Sequence, residues 1–83
     1  MAKHDVRSAS GALAYLTDCT LATVCQLAMK KSASKSELRR QIDIAQSAID
    51  WMERFGVDYS HTRAADVKAL GGKVESWAEQ FKP

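Results

Sequence analysis

An all-α fold, a small bundle of three helices with the third one kinked, is what this 83-residue chain predicts. Apolar residues recur at three- and four-residue steps through three stretches, the period of a helix with one buried face. One proline and four glycines leave few interruptions. Serine-led starts and a glycine stop punctuate the stretches. The length makes a single domain, 1–83. A chain this short buries only about 60% of the surface that its unfolded form exposes, so association is a common remedy for its marginal core.

Helix one is predicted over about 8–31, beginning at Ser8 or Ser10. Leu13, Leu16, Thr20, Val24 and Leu27 stack on one face, with Ala14, Leu21, Cys25 and Ala28 as a second stripe. Lys30 and Lys31 close the last turn, where cations favour the negative end of the helix dipole. Helix two, about 35–55, has the clearest start: Ser34-Lys35-Ser36-Glu37 fits the capping box. Leu38, Ile42, Ala45, Ile49 and Met52 form its core stripe, and Ile44, Ala48, Trp51 and Phe55 a flanking stripe about 110° away. Gly56 is its left-handed stop. Arg39–Asp43 and Asp50–Arg54 are i,i+4 ion pairs on the wet face. The short connection at 31–34 makes helices one and two an antiparallel hairpin. Helix three, about 62–81, keeps Val67, Leu70, Val74, Trp77 and Phe81 in step through Gly71-Gly72. The two glycines cost roughly 2 kcal/mol of helix propensity, and the preserved phase favours a kink over a break.

The apolar arc of helix two covers about 180°, whereas packing on a core needs little more than 100°. Helix one is apolar nearly all round. That surplus predicts a homodimer, a partner surface, or both.

The net charge of +2 is divided between the halves of the chain. Residues 1–40 carry seven basic and three acidic side chains, residues 41–83 five and seven. This is weaker than a domain-wide nucleic-acid footprint. Cys19 and Cys25 are separated by about 120° around the helix and about 9 Å along it, which a disulfide spans only if the helix unwinds. They read as reduced apolar side chains, suiting a cytoplasm. His4 and His61 have no ligand-spaced partners, so neither a metal site nor a cofactor is expected. Residues 8–29 are the one candidate membrane segment, but Asp18 and a series of serines and threonines make them too polar for hydrocarbon or for a signal peptide. A cytoplasmic chain with no membrane contact is expected.

Catalysis is not expected either. The sequence holds no phosphate loop and no nucleophile motif. Asp43 and Asp50 share a face about 10 Å apart, each explained by its own arginine. Two clusters remain as binding candidates. Lys30, Lys31, Lys35, Arg39 and Arg40 surround the hairpin turn and would meet phosphates or an acidic protein surface. Trp51, Met52, Phe55 and Tyr59 gather at the far end, close to where Trp77 and Phe81 are placed. Trp51 borders the polar face, which makes it the first choice of interface anchor.

Residues 37–54 resemble the helix-turn-helix of phage repressor and Cro-like regulators, with Leu38, Ile42, Ile44, Ile49 and Met52 at its packing positions. That resemblance implies a DNA-binding regulator in which Gln46 and Ser47 read bases from the start of a recognition helix. Arg39, Asp43, Asp50 and Glu53 differ from the motif, and one continuous capped helix accounts for the same run. As a short, helical, chemistry-free chain with an apolar surplus, the protein also resembles the accessory proteins of temperate phages. Those bind one host factor and disable it. The expected function is therefore a non-enzymatic inhibitor or adaptor of a host protein, acting in the host cytoplasm. Trp51, Phe55 and Tyr59 are its expected apolar anchors and Lys35, Arg39 and Arg40 its charged patch. A DNA-binding regulator is the alternative.

Overall fold

A computed structural model describes residues 8–83; His4, one of the two histidines weighed as a metal ligand, lies outside them. The described chain is all helical: α1 (Ala9–Met29), α2 (Lys35–Phe55), α3 (Arg63–Ala69) and α4 (Val74–Glu79). The two long helices form an antiparallel hairpin, and the two short ones pack on one side of it. α3 lies against α1, and α4 against both α2 and α1.

Local chemistry sets the ends. The Ser8 hydroxyl accepts the Gly11 N–H at 3.0 Å and caps α1. α1 stops at Met29, so Lys30 and Lys31 stand in the turn beyond it rather than in its last turn as expected. The Ser34 hydroxyl accepts the Glu37 N–H at 3.3 Å, while the Glu37 carboxylate turns forward to Gln41 and Arg40. α2 ends on Gly56 at φ 66, and the Val57 N–H returns to the Met52 carbonyl at 2.9 Å. That is the glycine-terminated stop that the sequence predicts.

The third expected helix is two helices. Gly71 and Gly72 have φ of 102 and 84, values that end a helix instead of bending it. The Gly72 N–H closes the end of α3 on the Val67 carbonyl at 2.9 Å. Val67, Val74 and Trp77 are buried as their phase predicts, but Leu70 falls at the break and is exposed.

The core is narrower than expected in α1. Its buried edge is Ala14, Thr17, Leu21, Val24 and Ala28, while Leu16 is exposed. With α3 and α4 on one side only, the stripe shared between them and α2 is the one buried, and Leu16 falls on the uncovered flank. Thr17 enters this core because its hydroxyl donates to the Leu13 carbonyl at 2.7 Å, leaving only its methyl to pack. In α2 the expected Ile42, Ala45, Ile49 and Met52 are buried. α1 is, by length and composition, long and apolar enough to cross a membrane, a property the sequence reading denied it. In the fold its one charged residue, Asp18, is engaged with α3.

The break at the two glycines gives a test by sign. Nothing lies within 4 Å of a Cβ built at Gly71 or Gly72, so the cost of alanine there is purely backbone. Gly71→Ala and Gly72→Ala should each destabilise by about 1–2 kcal/mol, read as a lower urea midpoint. A helix merely kinked at these positions would instead be stabilised by about 1 kcal/mol per substitution.

Candidate functional site

The short helices are held on the hairpin by polar side chains reaching from it. Gln46 projects from the middle of α2. Its amide nitrogen donates to the Gly72 carbonyl at 3.0 Å, and its amide oxygen accepts the Val74 N–H at 2.8 Å. Lys73, at the cap position of α4, supplies no side-chain hydrogen bond, so Gln46 caps that helix from a distance. Asp18 does the same for α3. Its carboxylate accepts the Arg63 N–H at 2.8 Å and the Arg63 guanidinium at 3.0 Å. Arg39–Glu75 at 3.2 Å and Lys68–Glu53 at 2.6 Å complete the cross-ties.

Two surfaces remain once these ties are made. The first is a groove of about 490 Å³ at the turn end of the hairpin. Leu27, Ala28, Leu38 and Ile42 form its apolar floor, and Lys30, Lys31, Lys35, Arg39 and Lys82 ring it with Glu75 as the one acid. Among the described residues Lys30, Lys31 and Lys35 make no ion pair. Arg39 is shared between Asp43 and Glu75, and Lys82 reaches Glu79 at 2.8 Å. Four apolar side chains with these three unpaired ammonium groups on their rim suit an anionic ligand that also carries an apolar group.

The second surface is aromatic. Trp51 and Phe55 stack at 4.7 Å with 24° between their rings, both exposed. The Arg54 guanidinium lies 5.7 Å from the Phe55 centroid. The expected Asp50–Arg54 pair is not made; Asp50 accepts from Gln46 instead. Met52 is buried and Tyr59 half-buried against the core, its hydroxyl donating to Glu53. Trp77 is buried and meets Phe81 edge-on at 4.9 Å. The expected aromatic cluster is thus divided, with two rings outside and the rest in or against the core.

Of the expected charged patch, Lys35 and Arg39 line the groove, while Arg40 stands apart with Glu37 at 3.5 Å. Residues 37–54 lie within one unbroken helix. Gln46 and Ser47 therefore do not begin a recognition helix, and Gln46 is occupied by α4. The role of Gln46 has no sequence signal, because it depends on a loop 26 residues away. Lys82, at the groove rim, is equally silent.

No cluster of three or more metal-ligating side chains exists among the described residues, and Cys19 and Cys25 are free thiols. Asp58, exposed after α2, accepts the Ser60 N–H at 3.0 Å. That backbone hydrogen bond, then one with the Ser60 side chain, holds its carboxyl below the ordinary value of 3.8. A depressed folded pKa stabilises the turn above the unfolded value, and the contribution is lost as pH falls through the folded one. Comparison with family models, curated proteins and solved structures finds no match.

Gln46→Ala removes both partners of the α3–α4 linker and should cost about 1–2 kcal/mol, with faster amide exchange at Val74. Gln46→Glu keeps the acceptor for Val74 and should recover part of that loss. Equal stability of wild type and Gln46→Ala would show that the contact does not hold α4.

Proposed function

We propose that the chain is a non-enzymatic protein-binding module that acts by occupying a surface of its partner. The manner is that of the small helical accessory proteins with which temperate phages bind and disable a host factor. Its place is the reducing cytoplasm, in keeping with two free thiols. The observation that carries the reading is the turn-end groove, where Lys30, Lys31 and Lys35 stand unpaired around an apolar floor. Cations left without intramolecular partners steer an acidic surface toward them, and an apolar floor rewards one inserted side chain. The partner is therefore an acidic protein segment bearing an apolar anchor. Trp51 and Phe55 lie at the other end of α2 from Lys35 and take no part in this contact.

The alternative, a DNA-binding regulator, shares only the cations with this reading, since Gln46 is engaged elsewhere. Capture from a bacterial lysate with the tagged chain, with and without nuclease, distinguishes them. One protein should be recovered near stoichiometrically and indifferently to nuclease. Lys31→Glu together with Lys35→Glu should weaken its recovery at least tenfold, about 1.4 kcal/mol, without changing the far-ultraviolet circular dichroism. Capture that survives the double reversal would remove the groove from the interface. Recovery of DNA alone, lost with nuclease and falling steeply with salt, would turn the assignment to the regulator.

A further inference from the structure

We propose that a second copy of this chain covers the outer face of the α1–α2 hairpin, with the two α2 helices packed antiparallel across a two-fold axis. The face follows from helical geometry and the ties already described. On α1, Asp18 and Cys25 mark the flank turned toward α3 and α4. At 100° per residue Leu16 and Thr20 fall on the opposite flank. On α2, Arg39, Gln46 and Glu53 mark the covered flank, and Ile44, Ala48, Trp51 and Phe55 fall on the other. The two uncovered flanks adjoin because the helices are antiparallel neighbours. They make one face that neither α3 nor α4 reaches.

Its size fits a small dimer. Leu16 is 61% exposed, Phe55 60%, Trp51 57% and Ile44 45%. Aromatic side chains present about 150–250 Å² each, so these four leave roughly 400 Å² uncovered. With half-buried Thr20 and Ala48 and the stems of rim arginines, each copy offers roughly 600 Å², and the pair about 1,200 Å², above the roughly 1,000 Å² that a specific interface needs. A face of this extent also supplies the burial that an 83-residue chain lacks.

The charges on its rim choose the occupant. Arg40 lies at the turn end of α2, on the side of the face where Trp51 stands toward the open end. An antiparallel α2 pair centred between Ala45 and Gln46 sets Arg40 opposite Trp51 of the second copy, cation against ring, and the symmetry makes that contact twice. The rim is self-complementary about its own midpoint, as an isologous interface requires. A foreign helix would need none of that symmetry. A lipid surface would be met by Glu37 and Thr20 as well as by the arginines.

Sedimentation equilibrium of the purified chain, from micromolar to near-millimolar, tests this. The mass should rise from 9.1 kDa toward twice that value. Trp51→Glu should weaken association by roughly thirtyfold or more, with helix content unchanged. Arg40→Glu should weaken it as well, and Arg40→Lys, which keeps the cation, should weaken it less. A monomer at every concentration, or a dimer indifferent to Trp51→Glu or to Arg40→Glu, would overturn the proposal. So would a monomer that co-sediments with phosphatidylglycerol vesicles. The groove lysines are outside this face, so Lys31→Glu with Lys35→Glu should leave the dimer intact. Partner binding and self-association therefore fail separately.

Discussion

Two helices of 21 residues each, about 31 Å long at 1.5 Å per residue, can be covered only by elements of comparable length. The chain that remains after them supplies helices of seven and six residues. Those are laid on one side of the hairpin, and no described helix covers the other. This mismatch between what needs covering and what is left to cover it governs which residues are core. It buries the Ala14, Thr17, Leu21, Val24 and Ala28 edge of α1, and it leaves Leu16, Ile44, Trp51 and Phe55 in solvent.

Short helices do not stand alone in water, since nucleation is costly and isolated helices under about 12–15 residues are marginal. α3 and α4 therefore depend on what holds them. Val67, Val74 and Trp77 contribute burial, but their N-termini are satisfied from the hairpin, by Asp18 for α3 and Gln46 for α4. Thr62 adds a local cap to α3, its hydroxyl accepting the Ala64 N–H at 3.1 Å. The polar residues of the hairpin are thus divided by role. Those on the covered flank fasten the second layer, and Lys30, Lys31 and Lys35 around the turn make no ion pair among the described residues. Asp18 is instructive because it is the one charged residue in α1. In a helix otherwise uncharged, a carboxylate is placed where it meets two donors of Arg63.

Element type, the start of α1 and both ends of α2 were legible in the sequence because they rest on local chemistry: serine caps, a left-handed glycine and a 3.6-residue period. The core of α2 was legible for the same reason. The break at Gly71-Gly72 was misread because hydrophobic phase says which residues face the core and nothing about the path between them. Val67, Val74 and Trp77 keep one phase whether the helix bends or stops and restarts. Which of the two apolar stripes of α1 is buried was not legible, because it depends on where the second layer sits. Lys35 and Arg39 were legible as neighbours by their spacing around the turn; the apolar floor beneath them and Lys82 across it are tertiary. Gln46 drew notice for a base-reading role, when its environment is set by Gly72 and Val74.

The open face and the groove make different physical demands, and they use different sides of α2, which lets both be met. An uncharged face gains from removing area from water, which favours a permanent cover. Unpaired lysines gain from long-range attraction, which favours an exchangeable partner and faster encounter. In the proposed antiparallel dimer the turn ends point in opposite directions, so the two grooves would stand at opposite ends of the assembly with neither blocked by the second copy. Each copy would then meet its own acidic segment. A target that is itself repeated would be held at two points, with avidity set by the spacing of the two grooves instead of by any added contact. On this arrangement the apolar surplus that leaves the monomer incompletely covered is also what sets the distance between its binding sites.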